Sequence, residues 1–92
     1  MNTPENKIRI FVLDRGFVVV GHSEIDDELA FHWKITGKII RRWGTTKGLA
    51  QLQRGPENET VLDDIATRKI PFRAIIEIIE VEQSKWTKHL KD

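Results

Sequence analysis

Between Leu29 and Thr36 the chain alternates regularly. Leu29, Phe31, Trp33 and Ile35 fall on one side of an extended backbone, and Ala30, His32, Lys34 and Thr36 on the other. This is the pattern of a β-strand with one buried face. From Ile8 to Leu13, Ile8, Ile10 and Val12 alternate with Arg9, Phe11 and Leu13, so this strand should be covered on both faces. Asp14-Arg15-Gly16 supplies a hairpin turn with a bulge, and Phe17 to Val20 returns. His22 to Glu28 reads as a polar, acidic loop. Thr36-Gly37 predicts a tight turn, after which Lys38 to Trp43 runs back with its alternation blurred by the adjacent Ile39 and Ile40.

Helical spacing replaces alternation next. A short helix is predicted over about residues 46–54, with Thr45 or Thr46 as N-cap and Leu49 and Leu52 as its apolar stripe. Gly55 takes the left-handed position behind it and Pro56 stops it. Two turns of helix need tertiary packing to exist. Glu57 to Glu59 is a turn, Thr60 to Leu62 a short strand, and Asp63 to Arg68 a connection. Pro71 opens the last long strand, Phe72 to Val81, whose isoleucines favour extended chain. Gln83 to Asp92 suits an amphipathic turn or two, capped by Ser84, with Trp86 and Leu90 on one side. The expected organisation is a flexible arm (1–6), one β-rich domain (7–82) and a tail or short helix (83–92). The fold class is mainly β: an SH3-like or Sm-like curved barrel of five to six strands, with an OB-like barrel as the alternative.

Composition narrows the function classes. At 92 residues the chain has room for one domain with a thin core, and a homo-oligomer would bury more. It has no cysteine, which excludes disulfides, thiolate catalysis and cysteine zinc sites. Apolar runs are no longer than Phe17 to Val20, far short of the ~20 residues that span a bilayer, so a cytoplasmic protein without membrane contact is expected.

Charge is segregated, although the net is only +1. Lys34, Lys38, Arg41, Arg42, Lys47 and Arg54 lie in an acid-free stretch from Leu29 to Pro56. Glu24, Asp26, Asp27 and Glu28 precede it, and Glu57, Glu59, Asp63 and Asp64 follow it. One reading is an anion-binding face. Arg41 and Arg42 would supply guanidinium forks, Trp43 a stacking ring, Lys47 a point charge, and Thr45 and Thr46 a loop with free backbone N–H groups at a helix start. The other reading is that the basic block pairs with the acidic clusters of its own fold. Arg41 and Arg42 are adjacent on a strand and point opposite ways unless the strand bulges. Gly44 to Gly48 fails as a P-loop, because the spacing is short and Lys47 precedes Gly48. His22, Ser23 and Asp26 carry triad residue types without triad evidence. The acidic loop lacks the glycine and terminal glutamate of a calcium loop. No catalytic residue, metal site or cofactor is expected, and the protein reads as a non-enzyme.

The run Ile40-Arg41-Arg42-Trp43-Gly44-Thr45-Thr46-Lys47-Gly48-Leu49 is followed by Leu52, Gly55-Pro56 and Thr60-Val61-Leu62-Asp63. With Val12 to Gly21 and Ile70 to Ile76, it resembles small uncharacterised phage- and prophage-encoded proteins over most of residues 8 to 81. The resemblance implies a mobile-element origin and action inside a bacterial host, and it transfers no activity. Two functions are in play. The first is a binding module for an anionic ligand, either nucleic acid or a phosphate-bearing small molecule. The second is a protein-binding factor that inhibits or redirects a host enzyme, anchored by exposed aromatic residues or by acidic clusters.

Overall fold

The computed structural model describes residues 5–64 and 67–90. Most of the expected N-terminal arm (Met1 to Pro4), part of the connection after Asp64 and the last two residues of the tail lie outside the described residues. Ile8, Ile10 and Phe11 are all buried although they point to opposite faces of their strand, β1 (Lys7–Leu13). Both faces of β1 are therefore covered, as its apolar pattern predicts.

Five further strands follow: β2 (Val18–Ile25), β3 (His32–Arg42), β4 (Val61–Asp64), β5 (Arg68–Pro71) and β6 (Ile75–Glu80). All pair antiparallel in the order β4-β3-β2-β1-β6, and β5 lies beside the first half of β3. The result is the expected small, barrel-like, mainly β fold, with one difference. No ladder joins β6 to β4 or β5 among the described residues, so the barrel stays open along one seam.

Several local expectations are corrected. Thr36-Gly37 is not a turn, because β3 runs through it without interruption. Gly37 pairs with Gly21 of β2, and a Cβ on Gly37 would lie 2.1 Å from the Val20 carbonyl oxygen and 2.4 Å from the Gly21 Cα. The glycine pair marks a close approach of two backbones inside a sheet. His22 to Ile25 extends β2 and is not loop. The polar Ser23 is tolerated there because its hydroxyl donates to the Lys7 carbonyl and accepts from Arg9. Of the alternating set, Trp33 and Ile35 are buried, whereas Leu29 and Phe31 precede β3 in a turn and are exposed. Pro71 closes β5, Phe72–Ala74 forms a 3-10 turn, and β6 begins only at Ile75.

The expected helix is a 3-10 helix, Leu49–Arg54, with no side-chain cap from Thr45 or Thr46. The tail forms α1 (Gln83–Trp86) and a 3-10 turn, and Ser84 does not cap it. One sheet face carries Ile8, Ile10, Val18, Val20, Ile40 and Ile79 beneath Leu52 and Trp86. The opposite, interior face carries Phe11, Val19, Trp33, Ile35 and Ile70. Trp86 is fully buried, and its indole N–H donates to the Leu52 carbonyl at 2.8 Å. Gln83 acts as a substitute strand residue: its amide nitrogen donates to the Ile8 carbonyl and its amide oxygen accepts the Ile8 N–H, both at 2.7 Å. No helix among the described residues is long and apolar enough to cross a membrane.

Three substitutions test this packing. Trp86→Ala should lower stability by about 3–5 kcal/mol in chemical denaturation, because it empties a large buried volume and removes one of the two donors to the Leu52 carbonyl, the other being the Gly55 N–H. Gly37→Ala should prevent the native ladder from forming, which would be read as loss of cooperative thermal unfolding. Gly16→Ala, where a Cβ meets nothing within 4 Å, should retain the fold despite its φ of +83°.

Candidate functional site

The basic block is exposed but internally compensated. Ile40 pairs with Leu62 and Arg42 with Val61, so the strand bulges at Arg41 and both guanidinium groups reach solvent. Arg41 Nε lies 3.0 Å from an Asp63 carboxylate oxygen, Arg42 lies 4.0 Å from Glu59, and Lys38 pairs with Asp64. Three cations thus face three carboxylates of the following segment. Exposed pairs of this kind contribute about 0–1 kcal/mol each, so their weight is electrostatic: a locally neutral surface has no field to draw in a polyanion. Lys34 stands elsewhere, opposite Lys69 on β5. Lys47 and Arg54 make no ion pair among the described residues. They border a shallow hollow of about 530 Å³ with Gln51, Gln53 and Glu57.

The glycine loop is also occupied by its own chain. The Gln51 side-chain oxygen accepts the backbone N–H groups of Thr46 (3.1 Å) and Lys47 (2.9 Å), the donors an anion would need. Gly44 has a φ of +66°, and a Cβ there would lie 2.2 Å from the Glu59 carbonyl carbon. The Thr60 hydroxyl donates to the Trp43 carbonyl at 2.6 Å and accepts the Glu57 N–H at 2.8 Å. Thr45 is half-buried in this junction, and the Trp43 ring remains partly exposed. The Trp-Gly-Thr-Thr-Lys-Gly segment therefore locks two loops together.

A different surface stands out. Phe31 adopts a left-handed φ of +62°, rare for a bulky side chain, and is 74 % exposed. Backbone bonds hold it in place: its carbonyl accepts the Phe72 N–H at 2.8 Å, and the Asp26 N–H donates to the His32 carbonyl at 2.9 Å. Its ring meets Phe72 edge-on, with centroids 6.2 Å apart. Phe72 also borders a groove of about 430 Å³ lined by Ile25, Trp33, Ile75, Ile76, Glu77 and Ile78. Beneath this end of the sheet the Arg9 guanidinium is buried, 4.9 Å above the Trp33 ring, and donates to the Ser23 backbone and hydroxyl and to the Glu5 carbonyl. Alternation alone places Phe31 in the core. The signal that could have moved it outward is the polar run Ser23 to Glu28, which leaves little chain to turn before β3.

The turn carrying Phe31 is anchored by an ion pair. The Asp26 side chain is buried, with the Lys69 ammonium 3.1 Å from one oxygen and the Glu28 N–H donating to the other at 3.3 Å. Burial by itself raises the Asp26 carboxyl. Lys69 and the N–H groups of Glu28 and Leu29 outweigh it and hold the carboxyl below its usual range. Lys69 is raised by its bond to Asp26, against burial, with Glu28 adding to the effect. A depressed Asp stabilises the fold above its unfolded pKa of about 3.9 and loses that contribution as pH falls through the folded value. A raised Lys stabilises below about 10.4 and loses that contribution as pH rises through its own folded value. Among the described residues no group of His, Asp and Glu is placed to hold a metal ion.

The Phe72 amide, bonded to Phe31, should keep its hydrogen-exchange protection between about pH 5 and 9 and lose it as pH falls below about 4. In Asp26→Asn it should be under-protected at neutral pH. The Arg41→Ala/Arg42→Ala double variant should shift stability by no more than about 1 kcal/mol in a urea titration.

Compared with known proteins, the chain matches no family model, no curated protein and no solved structure.

Proposed function

We propose that this is a non-enzymatic accessory protein of phage or prophage type that acts inside a bacterial host by binding a host protein and inhibiting or redirecting it. The observation that carries this reading is Phe31. A left-handed backbone at a bulky residue costs on the order of 1–3 kcal/mol, and among the described residues nothing offsets that cost by burying the ring. Strain that displays an aromatic side chain makes sense where a partner receives it, and aromatic anchors dominate protein interfaces. Phe72, Ile76 and Ile78 extend the exposed apolar surface beside it. The neutral pairing of Lys38, Arg41 and Arg42 weighs against the anion-binding reading.

The test is Phe31→Asn. Asparagine tolerates the left-handed region, so the variant should unfold at or above the wild-type denaturant midpoint while losing its partner. Immobilised wild-type protein should retain one host protein in equimolar amount from bacterial lysate, and Phe31→Asn should not. Recovery of nucleic acid alone, lost in steps as salt rises, would establish the anionic-ligand reading instead.

A further inference from the structure

The groove beside Phe72 is lined by Ile75, Ile76, Glu77 and Ile78, four consecutive residues of β6. Successive side chains of a strand point to opposite faces. A hollow that touches four in a row therefore reaches the strand's edge as well as the interior face that carries Ile75 and Trp33. No strand pairs with that edge among the described residues, where β6 forms a ladder with β1 alone.

The direction of its backbone groups can be read from the chain itself. Gln83 mimics a strand neighbour on the β6 side of Ile8, so the even-numbered residues of β1 turn their N–H and C=O groups toward β6. Ile10 is opposite Ile79 and Val12 is opposite Glu77, so those β6 residues face inward, and Ile78 and Glu80 face outward. Gln53 confirms the outward side: its amide donates to the Glu80 carbonyl at 3.2 Å, and its own carbonyl accepts the Glu82 N–H at 2.8 Å. The chain thus already pairs with this edge at residues 80 and 82. The same row continues through Ile78 toward Ile76, the extra residue where β6 shifts register against β1, and there no partner is present among the described residues. Ile76 is 68 % exposed and Ile78 39 %.

We propose that this edge takes up an extended segment of the partner protein as an additional strand, with apolar side chains at alternate positions and a lysine or arginine opposite Glu77. The inference rests on the protein-binding reading above and names its mode. Glu77 is the one charged residue lining the groove, and it makes no ion pair among the described residues. A second copy of this chain is a poor occupant, because two β6 strands would bring a Glu77 from each copy to the shared edge with no basic residue in either strand to offset them, Glu80 being already paired with Lys7 at 3.0 Å. Strand addition uses main-chain hydrogen bonds for affinity and alternate pockets for specificity. The Trp33 floor and the Phe72 wall supply such a pocket.

The experiment is selection from a random twelve-residue peptide library on the intact protein, followed by binding measurements on the recovered peptides. Expected sequences alternate apolar residues and carry one basic residue. Methylating a peptide backbone nitrogen that faces β6 should abolish binding, whereas methylating the next nitrogen should leave it unchanged. Ile78→Pro removes an outward N–H that β1 does not use, so it should keep the fold and lose the peptide. Glu77→Lys should weaken basic peptides about tenfold, equivalent to about 1.4 kcal/mol, and favour acidic ones. Peptides without alternation, or binding indifferent to backbone methylation, would overturn the proposal. So would a concentration-dependent dimer in sedimentation that Ile78→Pro abolishes, since the occupant would then be a second copy. If Phe31→Asn releases the host protein while Ile78→Pro and Glu77→Lys retain it, protein binding stands and strand addition fails. If all three retain it, both fail.

Discussion

The contact between Gly21 and Gly37 is the constraint on which the rest of the architecture depends. Two strands approach so closely there that neither position has space for a Cβ. The approach lets β3 remain one continuous strand of eleven residues while pairing with β5 over its first half and β4 over its second. A flat strand could not serve both neighbours, because curvature in small barrels is introduced by glycines and bulges. With β3 bent in this way, the interior face gathers Phe11, Trp33 and Ile35. The bulge at Arg41 and the register shift at Ile76 are further departures from a flat sheet, and each borders one of the two surfaces considered for function.

Much of the core was legible in the residues. The dense apolar pattern of β1, the Asp14-Arg15-Gly16 reversal, the burial of Trp33 and Ile35 and the packing of Trp86 onto the sheet all follow from periodicity and side-chain size. The misreadings share a cause. A glycine in extended chain looks the same to a pattern whether the backbone turns or merely bends, so Gly37 was assigned to a turn. A polar residue is read as solvent-facing, which puts Ser23 in a loop although it lies within β2, and leaves Asp26, which is in the loop as expected, on the outside of it. Each is buried because a specific partner exists, Arg9 in one case and Lys69 in the other. Such partners are brought together by topology and leave no local trace. The candidate site divides along the same line. Segregation of charge was visible along the chain, but its neutralisation required β4 to fall into register beside β3. Phe31 was hidden because alternation carries no information about where a strand begins.

The glycine-rich segment resembling a ligand loop has a physical explanation that needs no ligand. Its backbone donors are taken by Gln51, Gly44 permits contact with the Glu59-Thr60 backbone, and the Thr60 hydroxyl ties Trp43 to Glu57. Residue types that serve anions at a helix start also serve a tight junction of two loops, because both tasks require small side chains and exposed backbone polarity.

The indole of Trp86 carries a consequence for assembly. It joins the 3-10 helix Leu49–Arg54 to a tail segment 34 residues away, and neither piece covers the outer sheet face unaided. The first three strands, by contrast, connect through neighbouring hairpins whose closure entropy is small. Chain entropy therefore favours an order in which the hairpins form before this two-part lid docks. Until the lid docks, Ile8, Ile10 and Val20 face water. In that order of events, the window for unwanted self-association closes only when Gln83–Trp86 has docked.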